Sequence, residues 1–340
     1  WAADGTTMVV PSAAQTSRTP AAVTGPITLT LDARETPKRI FHVRETIPVT
    51  PGPLTLVYPK WLPGEHEPAG PIADVVGLHV SANGQPLPWR RNPLDVYAFH
   101  VTVPGGARTV EVSFDFLSAL STSGFTSAAS VTAHLGVYSW NQVVLYPLGS
   151  TSDDVHVAAS VQLPDGWAFA TALTVDRHQA NTVVFTPVSL TTLVDSPVIA
   201  GEHLQTVSLD TSSRPVSVSM VSDRGEAVEA PGAVVDAWTR LVREADALFG
   251  ARHFDRYRFL LTLSDRVAHF GLEHHQSNDS RLSEDAVIRQ RPALETMAHE
   301  YVHSWNGKYR RPTGLATSDF QQPMAGDLLW VYEGLTQYLG

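Results

Sequence analysis

Two histidines near the end of the chain have the spacing of a metal site. His299 and His303 lie four residues apart in the segment AHEYVHSWNGKYRRP, residues 298–312. On a helix this spacing places both imidazoles on one face, where they can bind the same ion. Glu300 lies about 100° around the helix from His299, so it can reach a water bound to that ion. The segment therefore predicts a zinc site with Glu300 as the general base.

A third ligand is predicted at Glu333, in the segment LLWVYEGLTQYL. Its neighbours Trp330, Val331, Tyr332 and Leu335 suggest a largely buried segment, where an unpaired carboxylate is costly and a metal ion would relieve that cost. Two histidines and a glutamate leave one coordination position open for water, which is typical of catalytic zinc. The alternative interpretations are a chance HExxH string and an ordinary surface glutamate.

A second cluster, HFGLEHHQSND, spans residues 269–279. Its three histidines, His269, His274 and His275, could form a rival metal site. Consecutive side chains on an extended segment point in opposite directions, so we expect ordinary surface or hydrogen-bonded imidazoles here. Glu273 is a candidate to bind the free ammonium group of a peptide if it lies on an edge strand beside the zinc. The alternative is a solvated edge-strand glutamate.

The elements around these residues must position them. A helix is predicted from about residue 292 to 303, packed into its domain by its apolar residues Leu294, Met297, Ala298 and Val302. The segment 232–250 has a helical apolar pattern, and Gly250 is placed to end it. The segment YRFLLTLS, residues 257–264, predicts a strand, and a third helix starting near Asp327 would carry the predicted glutamate ligand.

The first half of the chain has a β pattern. In TVEVSFDF, residues 109–116, apolar and polar side chains alternate, which places one face in a core and the other in water. Proline and glycine separate short strands, and no helical segment of useful length interrupts them. The predicted fold class is α+β, with an antiparallel, sandwich-like β domain over residues 26–205 and an α+β domain over 206–340. Residues 1–25 are expected to form a flexible tail.

Composition narrows the possible functions. The chain of 340 residues is long enough for two domains with sizeable cores. A net charge of -10 without a basic run argues against a nucleic-acid partner. The absence of cysteine excludes disulfides, thiolate metal sites and cysteine nucleophiles. No apolar run approaches the roughly 18 residues that a membrane span needs.

Both ends of the sequence carry expectations. The chain begins at Trp1, which a removed signal peptide would explain, although an artificially chosen start would explain it equally. It stops at Gly340, shortly after the predicted ligand Glu333. A domain seldom ends so soon after such a residue, so we expect the second domain to continue beyond the sequence.

Taken together, these segments resemble the M61 peptidases, often called glycyl aminopeptidases, which are gluzincins related to the M1 aminopeptidases. The resemblance includes Trp305 and Asn306 after the second histidine, the Arg-Arg-Pro ending at Pro312, and the Trp-x-x-Glu-Gly-x-Thr frame that starts at Trp330. GLEHH is similar to the family's Gly-Leu-Glu-His segment, the counterpart of the M1 exopeptidase motif. PKWLPGEH (residues 59–66) and LVDSPVIAG (193–201) are similar to further family landmarks.

The resemblance implies a complete set of site residues. One zinc ion would be held by His299, His303 and Glu333. Glu300 would act as general base and acid. Substrate would be bound by Gly271, Leu272 and Glu273, with Glu273 on its amine. It also implies a thermolysin-like catalytic domain, an exported protein (periplasmic or extracellular), and a helical region and PDZ domain beyond the present residues. The tyrosine that steadies the oxyanion in M1 enzymes has no assigned counterpart here.

The expected function is that of a zinc aminopeptidase that removes small N-terminal residues such as Gly or Ala from peptides. Zinc-activated water would attack directly, because the sequence shows no nucleophile elbow. One alternative is an endopeptidase on the same scaffold, with Glu273 serving only the fold. The other is a non-enzymatic peptide-binding module with a structural metal. The intact glutamate of HExxH argues against that module, since a structural site needs no general base.

Overall fold

The computed structural model describes residues 24–289 and 291–340, except for the side chains of residues 291 and 292. Residues 1–25 are predicted to form a flexible tail; of these, residues 1–23 lie outside the described residues. The two halves of the described chain form separate sheets, each with its own main core, although Phe320 of the second half packs in the core of the first.

The first half is built almost wholly of strands. They are β1 (Ile27–Asp32), β2 (Ile40–Pro48), β3 (Gly52–Val57), β4 (Val75–Ala82), β5 (Gln85–Pro86), β6 (Trp89–Arg91), β7 (Ala98–Val103), β8 (Thr109–Leu117), β9 (Leu135–Tyr138), β10 (Tyr146–Pro147), β11 (His156–Gln162), β12 (Ala168–Thr171), β13 (Val175–Gln179), β14 (Thr182–Phe185), β15 (Val188–Ser189) and β16 (Val198–Gly201). A short helix, α1 (Leu190–Val194), lies between β15 and β16. No longer α-helix occurs in the described part of this half, as the pattern predicts.

These strands form three sheets. The nine-stranded sheet has the order β13-β14-β11-β1-β2-β8-β4-β5, with β15 also paired to β11. A four-stranded sheet (β10-β3-β7-β6) shares its hydrophobic core, and a three-stranded sheet has the order β12-β16-β9. The alternation predicted for β8 is confirmed, because every second residue is buried. The prediction of an antiparallel domain is wrong in one place. Strand β1 runs parallel to β11, which pairs with it although more than 120 residues separate the two in the sequence.

The second half combines one sheet with helices. Its elements are β17 (His203–Asp210), β18 (Val216–Ser222), α2 (Gly232–Phe249), β19 (Tyr257–Leu263), β20 (Phe270–Glu273), β21 (Ser277–Leu282), α3 (Ala286–Arg289), α4 (Arg291–His303) and α5 (Leu335–Leu339). The helix α2 ends as predicted, with Gly250 in the left-handed conformation. In place of the third helix expected from Asp327, a 3-10 turn (Gly326–Leu328) leads into a π-helical segment, Trp330–Gly334, and then α5.

The five-stranded sheet has the order β17-β18-β19-β21-β20. Its three inner strands run parallel, and both edge strands pair antiparallel to their neighbours. The strand β17 spans the boundary predicted at residue 205, so this sheet begins before it. The helix α4 packs beside the sheet, with Met297 and Tyr301 in the same core as α2. This packing fixes which face of α4 points away from the core.

An apolar cluster joins the two halves. Residues of β9, β12 and β16 pack there against residues of the five-stranded sheet, among them Val221 and Leu260. Close by, the ring of Phe125 lies 4.6 Å from that of Phe270 on the edge strand β20. The interface therefore brings loops of the β domain next to β20. Among the described helices, none is both long and apolar enough to cross a membrane.

Candidate metal centre and active site

Helix α4 and the π-helical segment bring the three predicted metal ligands together. The Nε2 atom of His303 lies 3.1 Å from Nε2 of His299 and 3.2 Å from Oε2 of Glu333. The same carboxylate oxygen lies 3.5 Å from Nε2 of His299. Two imidazole nitrogens and one carboxylate oxygen thus converge on a single point, which is the donor set of His₂Glu catalytic zinc sites.

The hydrogen bonds around these ligands suit a metal ion. The Nδ1 atom of His303 lies 3.1 Å from the carbonyl oxygen of Asn306. Because a carbonyl can only accept, Nδ1 carries the proton and Nε2 keeps its lone pair toward the other two ligands. On His299, Nδ1 is buried and has no hydrogen-bond partner among the described residues. A divalent cation would satisfy lone pairs that converge in this way. The residues therefore fit a zinc ion.

A second donor set overlaps the first. Among the described residues, Glu273, Glu300 and His303 also place ligand atoms within 4.8 Å of one another. This set has one imidazole and two buried carboxylates, whereas catalytic zinc is commonly held by two or three histidines with at most one carboxylate. Zinc in the second set would also occupy the predicted general base. We therefore favour the first set as the metal centre.

The rival histidine cluster does not converge. His269 bonds through Nε2 to the carbonyl oxygen of Ser264 at 2.8 Å, and His275 bonds through Nε2 to Nδ1 of His253 at 2.7 Å. The third member, His274, bonds instead to a carboxylate of the β domain. The three imidazoles thus have separate partners, as expected for hydrogen-bonded side chains.

Asn306 holds the segment that carries Glu333. Its Nδ2 group donates to the carbonyl oxygen of Val331 at 2.9 Å and lies 3.0 Å from Oγ1 of Thr336. Asn306 thus ties the turn after α4 to the segment that carries Glu333. The burial predicted around Glu333 is confirmed for Tyr332, which is 1% exposed, but wrong for Trp330 (72% exposed) and Leu335 (41%). The segment packs through Tyr332 and Thr336, which leaves its other side open in the described part of the chain.

Glu300 is held beside the metal ligands by a glycine. Its side chain is 5% exposed, and a Cβ atom placed on Gly271 would lie 2.0 Å from its Oε1. Gly271, predicted to bind substrate, thus makes room for the predicted general base. Burial, followed by the nearby carboxylates Glu273 and Glu333, raises the pKa of Glu300 well above its ordinary value. A raised pKa favours the protonated form, which suits a carboxyl group that donates as well as accepts a proton.

Glu273 lies at the end of the edge strand β20 and is only 3% exposed, so the solvated alternative is wrong. The hydroxyl of Tyr332 donates a hydrogen bond to its carboxylate. Burial acts to raise the pKa of Glu273, but the Lys308 ammonium and His303 outweigh it, so this pKa lies below its ordinary value. A buried anion beside the metal centre can bind an ammonium group.

The sequence analysis missed residues that the β domain contributes. The Nε2 atom of His66 lies 3.3 Å from Oε1 of Glu333, on the oxygen opposite the histidine ligands, and its ring packs edge-on against Tyr332. Gly64 (φ +90°) passes so close that a Cβ there would lie 2.5 Å from Leu272 and 2.9 Å from Glu273. Both residues belong to PKWLPGEH, which the family resemblance singled out without giving it a role.

A cavity of about 320 Å³ lies between the two domains. Leu272, predicted to bind substrate, forms part of its wall, together with His274 on the other side of Glu273. Asp195 and Lys308 also border it. The space between the domains therefore reaches the residues that flank the predicted amine anchor.

Two parts of the chain match known protein families. Residues 28–202 match the peptidase M61 N-terminal domain, and residues 292–340 match the M61 glycyl aminopeptidase domain. No curated protein sequence matches the chain.

Solved structures share the fold. An aminopeptidase N family protein from Idiomarina loihiensis is 21% identical, with a TM-score of 0.79 over 92% of this chain and 53% of that protein. The M1 zinc metallopeptidase from Deinococcus radiodurans is 17% identical, with a TM-score of 0.53 over 95% of this chain and 70% of that one. A mutant of that enzyme, bound to the substrate Tyr-Ser-Ala, gives a TM-score of 0.54 at 17% identity, over 94% of this chain and 70% of that one. The chain thus spans about half the length of the Idiomarina protein.

Proposed function

The chain belongs to the M61 peptidase family, and on that premise we propose that it is a zinc-dependent aminopeptidase. It would remove N-terminal residues from peptides, with a preference for small ones such as Gly and Ala. The family description, glycyl aminopeptidase, supports that preference. We further propose that the second half is the thermolysin-like part of a gluzincin, in which α4 carries two of the three metal ligands beneath the edge strand β20.

One observation carries the proposal: a buried carboxylate on the edge strand faces a His₂Glu metal set. Glu273 lies close enough to His303 for their ligand atoms to fall within 4.8 Å of one another. A peptide whose ammonium group binds Glu273 would place its first peptide bond near the metal ligands. An internal peptide bond would bring no such charge to this position, so the arrangement favours cleavage after the first residue.

The residues divide the chemistry between them. When bound, zinc would supply a Lewis acid for water and for the carbonyl of the scissile bond. Glu300 would accept the proton of the attacking water and then donate it to the leaving amine, in keeping with its raised pKa. Glu273 would hold the substrate's ammonium group throughout, so binding at the amino terminus would orient the bond that breaks.

Peptide cleavage tests the proposal. Purified protein of natural full length would be given an alanine-led or glycine-led peptide with a free or an acetylated amino terminus, with and without a chelator. We expect single residues to be released from the free peptide alone, and chelation to stop their release, as read by mass spectrometry. Internal cuts in both peptides would indicate an endopeptidase. If neither peptide were cut, the non-enzymatic alternative would be favoured.

A further inference from the structure

Asp195 of the β domain holds three donors of the catalytic domain. The ammonium group of Lys308 donates to its Oδ1 at 2.9 Å, and Nδ1 of His274 lies 3.1 Å from the same oxygen. The backbone N–H of His275 donates to Oδ2 at 2.7 Å. The side chain of Lys308 is 1% exposed, so this is a buried ion pair between domains. One carboxylate thus bonds to two separate stretches of the catalytic domain.

Both stretches adjoin the active site. His274 and His275 directly follow Glu273, at the end of a strand that pairs with β21 on one side. The backbone N–H of Lys308 donates to the carbonyl oxygen of the ligand His303 at 3.0 Å. The carboxylate of Asp195 therefore links the residue after the amine anchor to the turn that ends the zinc helix. This carboxylate is therefore placed to set the distance between Glu273 and the proposed metal ligands.

We propose that Asp195 is a positioning residue that holds Glu273 at the separation from the metal centre that a free amino terminus requires. The inference rests on the proposed function, in which Glu273 binds the substrate's ammonium group. It makes recognition of the first residue a joint property of the two domains, although Glu273, the group proposed to bind the substrate amine, lies in the catalytic domain.

The Asp195 carboxylate could serve a simpler purpose, which is to neutralise Lys308. Removing one partner of a buried ion pair leaves an unpaired charge, whereas replacing both with apolar groups is often neutral for stability. The variant Asp195→Leu breaks all three contacts and leaves Lys308 unpaired. The double variant Asp195→Leu/Lys308→Met removes the unpaired charge but still leaves His274 and His275 without their acceptor. Because the Lys308 ammonium also lowers the pKa of Glu273, the double variant is compared with Lys308→Met, which loses the same charge but keeps the Asp195 bonds to His274 and His275. This comparison separates positioning by Asp195 from the effect of the Lys308 charge.

Two inhibitors that differ only in an amine would measure positioning directly. Alanine hydroxamate carries the α-amine, and propionohydroxamate lacks it; both can bind a zinc ion. We expect the zinc-loaded wild type to bind the amine-bearing compound more tightly, as measured by calorimetry. Alanine hydroxamate should bind about tenfold more weakly to the double variant than to Lys308→Met, because small misplacements of an anchoring group have effects of this size or larger. Propionohydroxamate should bind as it does to the wild type.

Other outcomes would overturn the proposal. Unchanged binding of both compounds by the double variant would show that Asp195 serves only to neutralise Lys308. Equal weakening of both would assign it a general structural role. Zinc content and thermal unfolding confirm that each variant is folded, and Asp210→Leu, which breaks the ion pair to Arg252, controls for the loss of an ion pair elsewhere. If the wild type bound both compounds equally tightly, the result would contradict the proposed function and with it this inference.

Discussion

Helix α4 and the β-domain loop of residues 59–66 approach the same carboxylate by different routes. His303 reaches Glu333 from 30 positions away in the sequence, and His66 reaches it from 267 positions away. The first contact follows from a helix whose face is fixed by its own core. The second depends on how the two domains pack against each other. The proposed metal ligands therefore lie close together in the sequence, whereas His66, which bonds to one of them, comes from a distant part of the chain.

This difference predicts different consequences of mutation. Changes on the α4 side should affect turnover or metal ligation directly. Changes on the β-domain side should loosen the residues that hold the ligands and anchors in place, and their effects on zinc or substrate binding should be smaller.

The largest effect is expected on the α4 side, at Glu300. Replacing it with glutamine keeps the size of the side chain but removes proton transfer, so kcat should fall about 10²–10⁴-fold. Zinc content, measured by elemental analysis, should stay at the wild-type level because Glu300 is outside the favoured ligand set. A normal kcat in Glu300→Gln would show that this residue is not the general base.

A slightly smaller effect is expected at Gly271. Alanine there would displace the Glu300 carboxylate, since its Cβ would meet Oε1 at 2.0 Å. We expect kcat to fall about 100-fold, the loss that misplacement by about 1 Å can cause. Gly232→Ala is the matched control, because nothing lies within 4 Å of the added atom. Equal rates in the two variants would contradict the contact.

The β-domain loop is tested by His66→Ala. Loss of this hydrogen bond to Glu333 should weaken zinc affinity about 10–100-fold, as removal of partners behind metal ligands typically does. Competition with a chromogenic chelator would measure the affinity. His156→Ala, an exposed histidine of the same domain, is the control. If His66→Ala bound zinc as tightly as the control, the metal centre would be independent of the β domain.

The smallest effect concerns pH. Burial raises the pKa of Glu65, next to His66, from 4.5 to about 8. The folded protein therefore holds a proton that the unfolded chain releases, and the free energy of unfolding should fall as pH rises from about 4.5 to 8. Glu65→Gln should reduce this fall, as measured by denaturant unfolding at pH 5 and pH 8, whereas exposed Glu111→Gln should not. The same pH dependence in Glu65→Gln and wild type would contradict the shift.

The features that could be predicted from the sequence are those that follow from the periodicity of side chains along a helix or strand. The spacing of His299 and His303 places them on one helix face, and the alternation along β8 predicts its buried side; neither depends on distant residues. The π-helical turn at Glu333 and the exposure of Trp330 were not predicted, because both depend on how the segment packs against α4. The glutamate itself was identified by its residue type and family frame.

The contributions of the β domain could not be derived from the sequence. His66 and Asp195 lie in segments without periodic signal, and they reach the site only because β9, β12 and β16 pack on the second sheet. The family resemblance marked both segments, PKWLPGEH and LVDSPVIAG, but gave neither a role. Export of the protein and the domains expected beyond Gly340 stay predictions.

Anomalous diffraction from zinc-loaded crystals would test the central claim most directly. The account predicts one zinc peak about 2.0–2.2 Å from Nε2 of His299, Nε2 of His303 and a carboxylate oxygen of Glu333. His66 should then lie on the other oxygen of that carboxylate. A peak held by Glu273 and Glu300 with His303 would contradict the account, because it would make the general base and the amine anchor metal ligands.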